Sequence, residues 1–161
     1  FVCCGAVTDD DVSSAAKLLS GLGDVRGVHV AMYPGGAHAF GLVEGKPFFG
    51  LPTTTVSAFV AFEALVRPAV LRMMGRRDQH RPEVTAVLDE ALAGPAGITL
   101  MVPARVSRRE GVWHAAPTGQ PGPDLLAGVV RANGIVVVPP GTGRVEAGAR
   151  VRAQVLRSPG G

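Results

Sequence analysis

Apolar and polar positions follow two different rhythms along the chain. Over the first 75 residues, short apolar runs alternate with helical stripes. FVCC at 1–4 reads as a strand and GAVTDDD as a glycine turn running into an acidic cluster. VSSAAKLLSGLG then places Val12, Ala15, Ala16, Leu18, Leu19 and Leu22 on one helical face that stops at glycine. VHVAM at 28–32 reads as the next strand, YPGGAH as a turn-rich loop, and AFGLVEGKPFFG as a hairpin turning at Glu44 and Gly45. GLPTTT leads into SAFVAFEALVRPAV, a stretch with so few polar residues that it reads as a helix buried on every side. This alternation predicts an α/β layer with a mostly parallel sheet, whose loops at the C-terminal strand ends are the usual place for a ligand.

After GRRDQHRP the rhythm changes. VTAVLDEAL, ITLMVPARV, GVWHAAP, GIVVVPP and ARVRAQVL are short strand-like runs separated by Gly, Pro and Glu-Gly turns, and DLLAGVVRA at 124–132 reads as a short helix. The expected organisation is therefore an α/β domain over 1–77 and a β-rich, barrel-like domain over 78–161.

Composition narrows the class. The 161 residues are 47% hydrophobic and 18% charged, which suits a folded protein rather than a disordered or fibrous one. Glu63, Arg67 and Pro68 interrupt the best apolar run, so no membrane span is expected. Sixteen basic against thirteen acidic residues leave +3, a mild preference for anions. The densest basic run, GRRDQHR at 75–81, has no aromatic neighbour and reads as a solvated linker, not a nucleic-acid surface. Cys3 and Cys4 are adjacent and read as reduced core residues of a cytoplasmic protein. The chain opens on Phe1 within an apolar run that resembles the middle of a strand, so further sequence is expected upstream.

The helix after GLPTTT raises the question of chemistry. Its first N–H groups need acceptors, which Thr54 or Thr55 can supply as a cap. The same groups can instead hold a phosphate or carboxylate, with the threonine hydroxyls as extra donors. Under the α/β reading GAVTDDD, YPGGAH and GLPTTT fall on one sheet edge, and that convergence favours a ligand site over a bare cap. His29 and His38 lack a third partner at metal-ligand spacing, and His114 beside Trp113 reads as a strand residue of the β domain.

GLPTTTVSAFVAFEALVRPAVLRMMG resembles the Gly-Leu-Pro-Gly-Asn-Pro-Val-Ser turn and following helix of the molybdopterin molybdenumtransferases, the MoeA proteins and the gephyrin E domain. GAVT at 5–8 is similar to that family's Gly-Gly-Val-Ser loop, and HVAMYPGGAHAFG to its Val-Ala-Met-Lys-Pro-Gly-Lys-Pro segment. GQPGPDLLAGVVRANGIVVVP and EAGARV resemble its small C-terminal β domain. The resemblance implies the C-terminal half of a molybdopterin-binding, MoaB/MogA-like three-layer α/β domain, followed by the barrel-like last domain. It also implies a protein that inserts molybdate into adenylated molybdopterin with Mg²⁺, as a homodimer when intact. The alternative within the family is a non-catalytic, gephyrin-like module that binds a peptide in the groove between its domains.

Carried over position by position, the resemblance marks Gly5, Thr8, Pro34, Gly35, Pro52, Thr53, Thr54, Thr55 and Ser57 as binding residues; Asp10 and Asp11, beside Asp9, are candidate Mg²⁺ ligands by their own chemistry, since that hard cation prefers carboxylate oxygens. The triplet also fits a helix cap. The family's loop aspartate falls on Ser13 here, its two lysines on Tyr33 and Gly36, and its Gly-Asn-Pro on Thr53, Thr54 and Thr55. These substitutions remove cationic partners for a phosphate, so weakened catalytic loops are expected. The family's preceding strands lie outside the sequence, which would leave an apolar sheet edge open beside Val2 unless another chain supplies them.

Overall fold

The computed structural model describes residues 1–8, 10–118 and 125–157. The chain divides into two units, Phe1–Ala31 with Gly35–Gln79, and Met32–Pro34 with His80–Gly161.

In the first unit, β1 (Val2–Val7) leads through the acidic turn into α1 (Ser14–Leu19). β2 (Gly23–His29), β4 (Ala37–Val43) and β5 (Lys46–Pro52) complete a four-stranded sheet in the order β1-β5-β4-β2. Only β1 and β5 run parallel; β5, β4 and β2 form an antiparallel meander. This differs from the mostly parallel expectation. The strand expected at 28–32 instead runs from Gly23 to His29, and the seven residues from there to β4 are too few for the crossover that a parallel pair requires. Glu44 and Gly45, at φ 48° and 74°, make the expected tight hairpin turn between β4 and β5.

Alternation along the strands separates two faces. Val7, Val25, Ala37, Ala39, Val43 and Phe48 pack under the Ala15 side of α1. The opposite face is covered by a continuous helical segment: α2 (Thr55–Ala61), a π-helical turn (Phe62–Val66) and α3 (Arg67–Met73). The widened turn lies just ahead of Pro68, whose ring has no N–H to give and crowds the preceding turn, a sufficient cause for the change in winding. Val56, Val60, Ala61 and Val66 are buried, while Phe62, Val70, Met73 and Met74 face solvent. The helix is thus covered on one side, not on all. Cys3 and Cys4 also depart from expectation: both are free and exposed, because β1 is an edge strand covered only near Ala6 and Val7.

The second unit is a barrel. β6 (Glu83–Leu88), β8 (Thr99–Arg109), β9 (Val112–Pro117), β10 (Gly134–Val138) and β12 (Arg150–Val155) pair in the order β10-β12-β6-β9-β8, and a β10–β8 pairing closes the ring. β3 (Met32–Tyr33) lies alongside the start of β8. β7 (Leu92–Ala93) pairs with β11 (Arg144–Val145), and α4 (Leu125–Arg131) is the single helix among the described residues of this unit. Alternate residues point inward: Leu100, Val102, Ala104 and Val106 from β8, Ala86 and Leu88 from β6, Val136 and Val138 from β10, Val151 and Ala153 from β12.

Asn133 seals the barrel wall where α4 ends. Its side chain accepts from the Val106 N–H at 2.6 Å and donates to the Val106 carbonyl at 2.9 Å, standing in for a strand partner. Asn133→Ala is expected to lower barrel stability by about 1 to 2 kcal/mol, since it strips both bonds from a partly buried peptide group. Urea denaturation followed by the fluorescence of Trp113, which packs against the barrel core, measures the change.

Candidate functional site

Three loops of the first unit fall on one edge of its sheet. β1 and β5 are parallel, so the loops following Val7 and Pro52 leave on the same side. β4 runs antiparallel to β5, so the segment entering it at Ala37 comes from that side too. Contacts confirm the gathering. Gly5, at φ 80°, lies against Thr53, with room for a Cβ that would sit 3.7 Å from the threonine methyl. Gly35, at φ 84°, is pressed so close to the start of α2 that an added Cβ would lie 2.8 Å from the Ser57 carbonyl oxygen. Gly5, Gly35, Pro52, Thr53, Thr54, Thr55 and Ser57 therefore belong to one rim, and Thr8 lies just past the end of β1. Pro34 belongs to the second unit with Met32 and Tyr33.

Thr54 occupies the cap position of α2 with extended backbone angles, φ −82° and ψ 142°, but its hydroxyl does not cap. It donates to the Ser57 hydroxyl at 2.6 Å. Thr53, Thr54 and Thr55 are exposed. The helix start thus places three exposed threonines beside first-turn N–H groups that no side chain caps.

The acidic turn has a different role. Asp11 Oδ1 accepts from the Ser13 N–H at 2.9 Å, the Ser13 hydroxyl at 2.9 Å and the Ser14 N–H at 3.0 Å, while Oδ2 accepts from the Ser14 hydroxyl. These bonds, led by those from the Ser14 and Ser13 side chains, hold its pKa down to about 2. Asp11 caps α1, and Ser13, at the place of the family's aspartate, is one of the groups it holds. No group of three or more metal-ligating side chains occurs among the described residues. Asp9 lies outside them. With both of its oxygens engaged in these bonds, Asp11 does not fit a Mg²⁺ site as it stands.

Beneath the rim, His38 on β4 is only 3% exposed, and neither ring nitrogen has a hydrogen-bond partner. Burial lowers its pKa; the Gly35 backbone pulls the other way without reaching hydrogen-bond geometry, and nearby His29 adds to the lowering. The sequence alone gave His38 no role, because its place depends on cover from a helix nearly twenty residues downstream. The sign of its effect on stability follows. The unfolded imidazole takes up a proton near its ordinary value of 6.5 and the folded one only at lower pH, so the unfolded state binds more protons in between. The first unit is expected to lose stability as pH falls below about 6.5, at no more than about 1.4 kcal/mol per pH unit from this group. Urea midpoints from pH 8 to pH 5 check this, and His38→Leu should flatten the slope.

The barrel carries a separate polar cluster. Asp89 accepts from Arg109 at 2.9 Å and meets His114 Nδ1 at 2.9 Å, tying the end of β6 to β8 and β9. His114 is the strand residue that the sequence indicated.

Residues 85–156, most of the barrel unit, match the family described as the MoeA C-terminal region, domain IV. Molybdopterin molybdenumtransferase 2 of Mycobacterium tuberculosis is 35% identical over 146 residues, covering 88% of this chain and 35% of that protein. Molybdopterin molybdenumtransferase 1 of the same organism is 33% identical, covering 99% of this chain and 39% of the relative. The crystal structure of the molybdopterin biosynthesis MoeA protein from Pyrococcus horikoshii superposes with a TM-score of 0.77 at 25% identity, over 98% of this chain and 37% of that one. The chain spans a little over a third of the length of these relatives.

Proposed function

Because the chain belongs to the MoeA family of molybdopterin molybdenumtransferases and corresponds to its C-terminal portion, we propose that the loop rim of the first unit holds the phosphate of a molybdopterin-type substrate in molybdenum cofactor biosynthesis. The observation that carries this reading is the gathering of Gly5 beside Thr53 and Gly35 beside Ser57 at the start of α2. Free N–H groups at that start, with the helix dipole behind them, attract an anion. The Thr54 hydroxyl donates to that of Ser57, which leaves the Ser57 proton free to point at a phosphate oxygen. Molybdate and adenylated molybdopterin are the substrates that the relatives' chemistry suggests.

Tyr33 and Gly36 stand where the family has lysines, so the rim relies on backbone and hydroxyl donors. Each charge-assisted bond given up is worth about 1.5 to 3 kcal/mol. The rim is then a binding wall whose catalytic loops are weakened.

The first unit further reads as the second half of a three-layer α/β domain. β1 is an edge strand, yet Val2, Cys3 and Cys4 expose a small apolar surface on both of its faces, whereas edges facing water are usually charged, bulged or covered. Adding the part of the M. tuberculosis transferase 2 that this chain does not match should slow amide exchange along β1. Unchanged exchange rates count against a completed sheet.

Titration with adenylated molybdopterin, and with inorganic pyrophosphate as a simpler probe, tests the rim. A ligand at a hundred times its Kd adds about 2.7 kcal/mol of stability, visible as a rise in Tm. Thr54→Ala should cost less than about 1 kcal/mol of stability, because the hydroxyl makes no cap bond, yet weaken the phosphate contact several-fold. A folded protein whose Tm moves with neither ligand would refute the site.

A further inference from the structure

The rim offers donors without a charge, and His38 lies beneath it. No cationic side chain stands at Thr8, Gly35 or Gly36, or in the stretch from Pro52 to Ser57. An anion there meets hydroxyls and the N–H groups at the start of a helical segment that runs on to Met73. His38 is the second residue of β4, at the strand end that emerges from the rim. Ala37 and Ala39 on either side of it pack toward α1, so His38 takes the face that carries the α2–α3 segment. Its imidazole is 3% exposed, both ring nitrogens are covered by protein, and neither has a hydrogen-bond partner. A buried polar ring left without partners is rare in folded proteins. The Gly35 backbone favours the charged ring, and Gly35 is the residue lodged against Ser57 at the start of α2.

We propose that a phosphate-bearing ligand at the rim draws one proton onto His38, so that the buried imidazolium becomes the counter-charge that the loops lack. The inference rests on the reading of the rim as a phosphate site. With the rim empty the ring stays neutral, because burial disfavours its charged form. A bound anion acts from the Gly35 side on a ring shielded from solvent, where screening is weak, and offsets that penalty. The charges around the ring are few. On β2, His29 opposes a second positive charge. β5 brings Phe49, Gly50 and Leu51 to the adjoining cavity, and on the helical segment Glu63 and Arg67 lie 3.9 Å from each other. Proton uptake and ligand binding are then reciprocal. Whatever factor the ligand adds to the proton affinity of the ring, the proton adds to the affinity for the ligand.

The test titrates pyrophosphate, from pH 8 to pH 5.5, into the 161-residue chain with ¹⁵N-labelled histidine and into His38→Leu. Across this range the unaltered chain should gain about tenfold in affinity relative to the variant. Its His38 nitrogen resonances should titrate about one pH unit higher with pyrophosphate than without, which is the same factor read from the proton's side. Pyrophosphate takes up protons of its own, equally for both chains, so the ratio of affinities isolates the histidine. The resonance measurement needs no variant and decides the matter even where His38→Leu does not fold. A constant ratio, or a His38 titration that pyrophosphate leaves unmoved, overturns the coupling, while the binding itself upholds the rim. Absence of pyrophosphate binding at every pH overturns the rim, and the coupling with it.

Discussion

Gly35→Ala is expected to destabilise the first unit by about 2 to 4 kcal/mol while leaving the barrel intact. Two effects add. The φ of 84° lies in the left-handed region, where a side chain is strained. The new Cβ would also sit 2.8 Å from the Ser57 carbonyl oxygen and 3.1 Å from Ser57 Cα, so it meets backbone at the helix start and not a side chain able to turn aside. Relief requires the loop and α2 to separate, which spreads the rim proposed to hold phosphate. Pyrophosphate affinity should therefore fall together with stability. Two probes separate the units. Helical circular dichroism arises mainly from α1, α2 and α3 in the first unit, whereas the single tryptophan, Trp113, lies in the second. The dichroism transition should move to lower urea and the Trp113 transition should hold. A rim that keeps both its stability and its affinity with alanine at position 35 would mean that the close approach of the loop to α2 has no part in the site.

The same contrast shows why parts of this molecule were legible in sequence and others were not. The turns at Glu44–Gly45 and Glu110–Gly111 were readable because their chemistry is local, a residue tolerating positive φ followed by glycine. The barrel strands were readable because one face of each is buried and the two-residue period survives in the sequence, as in Leu100, Val102, Ala104 and Val106. β2 was misplaced because Asp24, Arg26 and two glycines dilute the pattern on an edge strand, leaving VHVAM as the more apolar but wrong segment. The gathering of the three loops followed from which sheet edge they share, a consequence of strand direction, and it held although most of the sheet is antiparallel. The hydroxyl pairing of Thr54 with Ser57, the lodging of Gly35 against α2, the isolation of His38 and the bracing of Val106 by Asn133 were not legible. Each depends on side-chain direction, or on neighbours distant in sequence, that no periodicity records.

The barrel offers the second large effect, and it bears on what the family match means physically. Leu88 ends β6 with 0% of its surface exposed and is among the largest fully buried side chains. The core cluster it belongs to draws side chains from every strand of the closed ring, so a hole left in it is not easily filled by the shift of one strand. Leu88→Ala is expected to cost about 2 to 5 kcal/mol, toward the upper part of that range if the ring stays closed and toward the lower if it relaxes. Trp113 packs against the same core, so its fluorescence reports the loss directly in urea unfolding. Pyrophosphate affinity at the rim should not change, because no rim residue from Gly5 to Ser57 belongs to this core. A change of less than about 1 kcal/mol would show that the core tolerates substitution far better than a close-packed interior should. A parallel loss of pyrophosphate affinity would show that the rim needs the barrel for its shape, and would move the proposed site from the first unit alone to the chain as a whole.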